Sequence, residues 1–314
     1  MKRDIFVSVV FVVEDYRLEV LEVLAATNER FQAEYANYEL LIVDNAGRGS
    51  IDPQLAHAVT SLPCVRILRL SQHVSPDSAA FAGLENAIGD YVVLADPQFD
   101  PIEDLVEMLS VARAGNDVVE AESTLLPPRT FRSVIRRGFL SYVRFAFRLT
   151  LSERATGLVA MSRRAVNAVT ASGRFHRYLA IQLRVVGFAI ERYPYTPRGV
   201  PNTRAAIFSA REALDIVSSH STHALRTVSI LGILFAIGSS VIAVVRAVAG
   251  AHDRGTNSVQ VSLTVLGAAI VSSVHGEYLG RVLSEARRDP SYFIAEEIES
   301  DVLILDPTKR NIVD

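Results

Sequence analysis

The chain has 314 residues, enough for one large domain with an appendage or for two domains. Its net charge of −3 gives no overall signal for a nucleic-acid partner, and its single cysteine excludes both a disulfide framework and a thiolate metal site within the chain. Hydrophobic residues make up 49% of the sequence and the mean hydropathy is +0.24, so we expect membrane segments.

The first half alternates between strand and helix patterns. Apolar, β-branched runs predict strands over 4–13, 38–43, 65–70, 91–95 and 117–121, and helical spacing predicts helices over 16–36, 53–61, 77–88 and 102–114. Such alternation predicts an α/β fold, a mostly parallel sheet with helices on both faces. The turn after the first strand reads EDYR, and its lack of glycine argues against a Rossmann-type dinucleotide site.

The stretch GDYVVLADPQFDP, residues 89–101, ends an apolar strand abruptly in carboxylates. Asp96 follows the apolar run directly, and Asp100 comes shortly after it. Asp15 and Asp44 likewise stand at or just after the first two strand ends. Ligand sites of open α/β sheets lie at the carboxyl ends of the strands, so we predict a site here, with an ordinary turn as the alternative. Carboxylates in this arrangement suit a sugar nucleotide, whose base and ribose offer hydrogen-bond donors.

Residues 123–152 mix six arginines with aromatic and aliphatic side chains and contain no acidic residue. This composition predicts a basic amphipathic helix over 129–149, lying on an anionic membrane surface. The side chains predicted to meet lipid phosphate or the membrane surface are Arg129, Arg132, Arg136 and Arg137. A helix packed on the sheet with solvated arginines is the alternative. RNA binding is disfavoured because the rest of the chain is acidic on balance.

Two uncharged runs, Thr227–Val245 and Ser258–Val274, are each near the roughly 20 residues that span a bilayer. A short polar link joins them, which predicts a transmembrane hairpin with helices over 227–248 and 258–279. Two buried helices of a soluble core are the alternative. Arginines flanking the runs place the first domain, residues 1–200, the juxtamembrane region, 201–226, and the tail, 280–314, in the cytoplasm. The tail either adds an edge strand or contacts a neighbouring subunit.

Four stretches, in this order, resemble the polyprenyl-phosphate glycosyltransferases of inverting family 2. They are YELLIVDN (38–45), LSQHVSPDSAAFAGLENAIGDYVVLADP (70–97), SHSTHALR (219–226) and GEYLGRVLSEARRDPSYFI (276–294). The resemblance runs from about Ile5 to Phe293 and implies a GT-A fold followed by interfacial amphipathic helices and the two-helix transmembrane hairpin. It also implies a multi-pass protein of the bacterial inner membrane that forms a homo-oligomer, with a tetramer as one form.

The reaction that this resemblance implies moves a sugar from a UDP-glucose-like donor to polyprenyl (undecaprenyl) phosphate at the cytoplasmic face. The product serves the synthesis or modification of surface glycans. The acceptor oxygen is already anionic near neutral pH, so the work is positioning and neutralising the leaving diphosphate, for which the resemblance implies Mg²⁺ or Mn²⁺.

The resemblance also assigns residues. Asp44 matches the acid that helps to hold the nucleotide base, and Asp96 matches the first aspartate of the DxD motif. Gln98 stands where the second, metal-binding aspartate is expected, and Asp100 is its nearest substitute. The implied metal ligands are therefore Asp96, Gln98 and Asp100, with Asp96 and Asp100 catalytic and with Asp15, Asp44 and Asp96 binding the nucleotide sugar.

The chain departs from the family pattern elsewhere. The acceptor-loop Asp-Phe-Arg reads Gly157-Leu158-Val159, and the arginines expected after the fifth strand are replaced by Glu122 and Ser123. Arg129, Arg132 and Arg154 are the candidates for the missing phosphate contacts. Three hypotheses stay open: an active glycosyltransferase, a catalytically silent homologue acting as a membrane scaffold or regulatory subunit, and a glycosyltransferase that works without a bound metal.

Overall fold

The computed structural model describes residues 3–14, 18–45, 57, 61–125, 137–138, 140–141, 144–145, 149, 151–171, 178–199, 222–248, 254–287 and 291–300. These residues fall into two compact units. The first unit contains all the strands together with the shorter helices. The second contains two long helices that follow one another in the chain.

The first unit alternates strands and helices, as the sequence predicts. Its elements are β1 Arg3–Val13, α1 Leu18–Glu34, β2 Tyr35–Asp44, β3 Val65–Leu70, α2 Pro76–Asn86, β4 Tyr91–Ala95, α3 Ile102–Arg113, β5 Val118–Ser123, β6 Ala155–Ser162, α4 Arg163–Thr170, α5 Leu179–Val185, β7 Ile190–Tyr195 and β8 Ile294–Glu299. The predicted strands match β1 to β5. Most of the predicted helix over 53–61 lies outside the described residues.

Within the described part of the chain, eight strands form one sheet in the order β7-β5-β6-β4-β1-β2-β3-β8. The central strands β3, β2, β1 and β4 are parallel neighbours, and β5 is parallel to β7. β6 runs antiparallel between β4 and β5, and β8 runs antiparallel along β3. The α/β class and the mostly parallel sheet are therefore confirmed.

Both faces of the sheet are covered, which explains why its central strands are almost continuously apolar. α1 and α3 pack on one face through Val20, Leu24, Phe31, Leu105 and Leu109. α2, α4 and α5 pack on the other face through Phe81, Leu84, Val166 and Leu183. At Gly83 on α2, a Cβ atom would overlap the side chain of Val10, so the glycine allows α2 to lie close to β1.

The predicted helix ends lie too late in the chain, and the helices predicted over 77–88 and 102–114 end at Asn86 and Arg113. The helical spacing predicts a helix to Ala36, whereas α1 ends at Glu34 and β2 begins at Tyr35. The Tyr35 ring is fully buried and stacks on Phe31 with ring centroids 5.2 Å apart. This packing fixes Tyr35 in the strand, and tertiary burial outweighs local helical preference there.

The tail supplies the edge strand β8, which is one of the two predicted alternatives. The strand is the acidic segment, and the apolar residues 302–305 that follow lie outside the described residues. Its charges meet Arg66 on β3, whose guanidinium lies 2.6 Å from Glu297 and 3.4 Å from Glu299. Arg66 also lies 2.9 Å from buried Glu39 on β2. β8 is therefore attached through side-chain charge as well as backbone pairing.

The second unit consists of α6 Thr222–Val248 and α7 Arg254–Arg287, which pack on each other. Close contact occurs at Gly232, where a Cβ atom would lie 2.7 Å from Val271. The ring of His275 on α7 donates from Nδ1 to the Val271 carbonyl, 2.8 Å away, and its Nε2 lies 3.3 Å from the Ser229 hydroxyl on α6.

The predicted membrane spans fall within these two helices. Among the residues that the structure describes, no helix combines the length and the apolar character needed to cross a bilayer. The two helices of the hairpin are thus found, and their crossing of a membrane stays a prediction.

Candidate functional site

The carboxyl ends of β1, β2 and β4 lie at one edge of the sheet. Strand register sets Asp44, the last residue of β2, opposite Val13 on β1. It also sets Ala95, the last residue of β4, opposite Phe11 on the same strand. Asp96 follows Ala95 directly, so Asp44 and Asp96 lie at the same edge with β1 between them. This is where open α/β sheets bind ligands, as the sequence predicts.

The turn after β4, residues 96–100, closes on itself through hydrogen bonds. The backbone N–H of Asp96 donates to Oδ2 of Asp100 at 2.7 Å, and the N–H of Asp100 donates to the Asp96 carbonyl at 2.9 Å. The N–H of Gln98 donates to Oδ1 of Asp96 at 2.9 Å. The turn therefore leaves Asp96 partly exposed and Gln98 exposed, with Asp100 only 4% exposed.

Asp100 holds the turn from inside the protein. Its Oδ1 accepts a hydrogen bond from the hydroxyl of Tyr195 at 2.7 Å, and that hydroxyl also lies 2.8 Å from Oγ1 of Thr156. Burial, and then the charge of Asp100, raise the pKa of the Tyr195 phenol above its usual value, so the phenol stays a donor. Both carboxylate oxygens of Asp100 thus serve to fix the turn, which makes Asp100 a positioning residue.

The segment after β7 packs beside the same turn. The backbone N–H of Arg198 donates to the carbonyl of Phe99 at 2.8 Å. Arg198 is exposed, so a side chain with a permanent positive charge is attached to the backbone beside this turn. Neither Arg198 nor Tyr195 is among the residues predicted from the sequence. Tyr195 ends β7 and Arg198 lies three residues after it, and because β7 itself is not predicted, no signal in the sequence indicated them.

Asp44 is 2% exposed and has a cation beside it. Nε of Arg69 on β3 lies 3.7 Å from its Oδ2, and Nη1 of Arg69 lies 3.7 Å from Glu296 on β8. The next residue, Asn45, is fully buried and pairs with the backbone of Val74 in both directions, at 3.0 and 2.9 Å. These two hydrogen bonds therefore hold the loop before α2 against the end of β2.

The predicted metal ligands make a poor set for a hard divalent cation. Such cations prefer several carboxylate or carbonyl oxygens, and a neutral amide is a weaker ligand than a carboxylate. Here Gln98 offers an amide, and buried Asp100 uses both oxygens inside the turn. Across the described ranges, no group of three or more histidine, cysteine, aspartate or glutamate side chains is placed to hold a metal ion. The residues present therefore do not fit the metal that the resemblance implies.

The comparison with protein families decides the identity of the chain. The family model described as glycosyl transferase family 2 matches residues 8–169, just over half of the sequence. The chain belongs to glycosyl transferase family 2. The predicted resemblance and the prediction of an enzyme, a glycosyltransferase, are thereby confirmed, and the mostly parallel sheet agrees with the GT-A type.

Similar proteins include two named undecaprenyl-phosphate 4-deoxy-4-formamido-L-arabinose transferase. The protein from Pseudomonas savastanoi pv. phaseolicola is 23% identical, covering 94% of this chain and 91% of its own. The one from Erwinia tasmaniensis is 24% identical, covering 94% and 95%. Among solved structures, glucosyl-3-phosphoglycerate synthase from Mycobacterium tuberculosis with Mn²⁺, UDP and phosphoglyceric acid has a TM-score of 0.46 at 16% identity, covering 68% of this chain and 77% of that one.

In this family 2 glycosyltransferase, the positions that depart from the pattern lie at the same edge of the sheet. Gly157 on β6 has a positive φ of 95°, which favours glycine over the expected aspartate. Glu122 near the end of β5 lies 3.4 Å from Arg192 on β7. Ser123 follows it, and its backbone N–H donates to the carbonyl of Arg154 at 2.9 Å.

The remaining predicted site residues are Asp15 and the four arginines predicted to meet lipid phosphate. Asp15, Arg129, Arg132 and Arg136 lie outside the described residues. Arg137 is exposed and lies 3.4 Å from Glu153. Its predicted role at a membrane surface stays a prediction.

Proposed function

We propose that this glycosyltransferase moves a sugar from a UDP-sugar donor to undecaprenyl phosphate or a similar polyprenyl phosphate. The observation that carries the proposal is the pair Asp44 and Asp96 at the carboxyl edge of the sheet, on either side of β1. Support for the acceptor comes from the relatives, whose names specify undecaprenyl phosphate and whose similarity spans 94% of this chain. The donor is proposed as a UDP-sugar, the class shared by the glucose that the resemblance implies and the formamido-arabinose for which the relatives are named.

The proposed reaction is a single displacement at the anomeric carbon. An oxygen of the lipid phosphate forms the new bond to that carbon while the bond to the UDP oxygen breaks, so the configuration inverts and UDP leaves. The attacking oxygen is anionic near neutral pH, so no general base is required, and glycine at position 157 in place of the acceptor-loop aspartate is compatible with this. Catalysis then depends on positioning the two substrates and on balancing charge at the leaving group.

Each residue of the edge has a part in this proposal. Asp44 accepts hydrogen bonds from the base or ribose of the donor, and Arg69 fixes its orientation. Asp96 orients the donor next to the turn that Asp100 and Tyr195 hold in place. Arg198 faces the developing negative charge, since a guanidinium matches phosphate oxygens in charge and geometry. No step of the proposal passes through Mg²⁺ or Mn²⁺.

We further propose that the reaction takes place at the cytoplasmic face of a bacterial inner membrane, where a long polyprenyl acceptor resides. Support comes from the many exposed apolar side chains on α6 and α7, among them Ile230, Ile233, Leu234, Ile242, Val265 and Ile270. The arginine-rich stretch over 123–152 supports attraction to anionic lipid. Homo-oligomer formation belongs to the same proposal and rests on the family resemblance.

The test uses the full-length protein in lipid nanodiscs containing undecaprenyl phosphate, with radiolabelled UDP-glucose and other UDP-sugars. We expect labelled lipid and an equal amount of UDP. Asp96→Asn is expected to slow the reaction about 100-fold, the scale for losing one charge-positioning group, and Arg198→Gln to act similarly. Arg113→Gln, which changes an exposed arginine at the last residue of α3, serves as the control. The absence of lipid product with every common UDP-sugar would contradict the proposal.

The second candidate is a catalytically silent homologue that acts as a membrane scaffold or regulatory subunit. Two observations favour it: Gln98 in place of the second aspartate, and Gly157 in place of the acceptor-loop aspartate. Calorimetry with UDP separates the two functions, because a silent scaffold has no reason to retain donor affinity. Micromolar UDP binding that is weakened by Asp44→Asn supports the enzyme, and undetectable UDP binding supports the scaffold.

A further inference from the structure

We propose that the donor site of this chain binds the diphosphate of its nucleotide sugar without a divalent cation. The inference rests on the proposed function and concerns the turn at residues 96–100. The carboxylates of Asp96 and Asp100 accept hydrogen bonds that stabilise the turn itself. These hydrogen bonds argue against metal binding.

Asp100 is the first part of the argument. It is the acid nearest to the missing second aspartate, and its carboxylate would have to turn outward to reach a metal. Its Oδ2 accepts from the Asp96 N–H at 2.7 Å and its Oδ1 from the Tyr195 hydroxyl at 2.7 Å. Turning it outward would take the acceptor from the Asp96 N–H and would leave the Tyr195 phenol with only Thr156 to donate to, so the hydrogen bonds of the turn oppose that movement. The native turn therefore keeps Asp100 out of any metal site.

Gln98 is the second part. Its side chain is exposed and able to reach a ligand, but it carries no charge. Its backbone N–H donates to Oδ1 of Asp96 at 2.9 Å, so this oxygen already accepts a hydrogen bond. Among the three predicted ligands, only Asp96 contributes a carboxylate that is not buried. A single carboxylate holds Mg²⁺ or Mn²⁺ too weakly to make binding of the donor depend on the ion.

A positively charged side chain is nevertheless attached to the backbone beside the turn. Arg198 is exposed, and its backbone is fixed to Phe99 in the middle of the turn at 2.8 Å. A guanidinium keeps its charge at every physiological pH and can pair with two phosphate oxygens at once. The charge balance that a cation would provide for the diphosphate is thus available from a side chain.

The experiment measures UDP binding by calorimetry with the full-length protein, once in EDTA and once with MnCl₂. For the wild type we expect dissociation constants that agree within about twofold, since a single carboxylate adds little metal affinity. Gln98→Asp supplies the second acid. It is expected to bind UDP more weakly in EDTA, because of charge repulsion, and at least about tenfold more tightly once Mn²⁺ is added. Gln98→Asn keeps a neutral amide and is expected to behave like the wild type.

Binding of Mn²⁺ itself is followed in parallel by electron paramagnetic resonance, which does not depend on turnover. We expect no bound Mn²⁺ signal with the wild type and UDP, and a clear signal with Gln98→Asp and UDP. A wild type whose UDP affinity rises about tenfold with Mn²⁺, with a bound Mn²⁺ signal that Asp96→Asn removes, would overturn the inference and leave the proposed function intact. A protein that binds no UDP under either condition would overturn both.

Discussion

Arg69 places Nε of its guanidinium 3.7 Å from Oδ2 of Asp44, at the carboxyl end of β2. The two residues are register partners on neighbouring parallel strands, so the pairing follows from the sheet itself. The other side of the same guanidinium lies 3.7 Å from Glu296 on β8. The carboxylate proposed to hold the nucleotide base is therefore oriented by a residue that the last strand also contacts.

Arg69→Gln is expected to weaken UDP binding about tenfold, which corresponds to about 1.4 kcal/mol. The reason is that Asp44 is almost fully buried and loses the cation that fixes its direction. The protein is also expected to lose some stability, because the buried carboxylate of Asp44 then loses the guanidinium beside it. Calorimetry with UDP measures the first effect and chemical denaturation the second.

Glu296→Gln is the matched control for this variant. Glu296 is half-exposed, and its removal leaves the contact between Arg69 and Asp44 in place. We expect UDP affinity close to that of the wild type. Equal losses of affinity in Arg69→Gln and Glu296→Gln would show that strand β8, and not the orientation of Asp44, controls binding.

Tyr195→Phe is expected to lower kcat/KM about tenfold and to destabilise the fold by about 1–3 kcal/mol. Removing the phenolic oxygen takes away the donor to Oδ1 of buried Asp100 and so loosens the turn that presents Asp96. Steady-state kinetics with the active UDP-sugar, together with a denaturation curve, separates the catalytic effect from the loss of stability.

Tyr193→Phe removes the same group two residues earlier on β7. The hydroxyl of Tyr193 lies 2.9 Å from Asp104 and 2.8 Å from Glu107, which belong to α3 and not to the turn at residues 96–100. We expect unchanged kcat/KM. If both phenylalanine variants lose activity equally, the idea that Tyr195 acts through the turn is wrong.

Arg66→Met is expected to reduce the free energy of unfolding by about 3–5 kcal/mol, the usual cost of breaking a buried ion pair by removing one partner. Arg66 meets Glu39 inside the sheet and two glutamates of β8, so its loss leaves Glu39 buried without its cation. Urea denaturation measures the change. The double variant Arg66→Met with Glu39→Gln should recover part of the loss, and no recovery would contradict this explanation.

Asp104 provides a test of pH dependence. Burial raises the pKa of its carboxyl above the usual value, more than the hydrogen bond from Tyr193 lowers it. The folded state therefore holds this proton more tightly than the unfolded state, so Asp104 makes the fold less stable as pH rises through the interval between the two pKa values. Asp104→Asn is expected to be more stable than the wild type at pH 7 and to lose that advantage as pH falls through the interval.

Glu103→Gln is the control, because Glu103 shares the first turn of α3 and thus the same interaction with the helix dipole. Denaturation curves from pH 7 down to the acid limit of folding give the comparison. An advantage of Asp104→Asn that stays constant with pH would contradict the burial argument.

The sequence predicts the strands β1 to β4 well and the strands toward the β7 edge of the sheet less well. β1 to β4 are apolar on both faces and are found where expected, but β6 and β7 are not predicted. β7 contains Pro194 and exposed charges, as suits an outer strand, and β6 carries Gly157 near its start. Their pairing with β5 is a long-range contact, which local periodicity does not report.

The site divides in the same way. Asp44 and Asp96 could be predicted, since each ends a strong apolar run at a strand terminus. Tyr195 and Arg198 could not, because each acts on a turn about a hundred residues earlier in the chain. The burial of Asp100 could not be predicted from the sequence either, because aspartate before proline is equally typical of an exposed turn.

The position of β8 in the chain has a consequence for biosynthesis. β8 completes the sheet next to β3, yet it is synthesised only after α6 and α7. Until then the edge of β3 is unpaired in the nascent first unit, and Arg66 lacks its ion pairs with Glu297 and Glu299. Open strand edges pair with other chains, so a protein truncated before β8 should aggregate during synthesis. The first unit can therefore complete its sheet only after both helices have been synthesised.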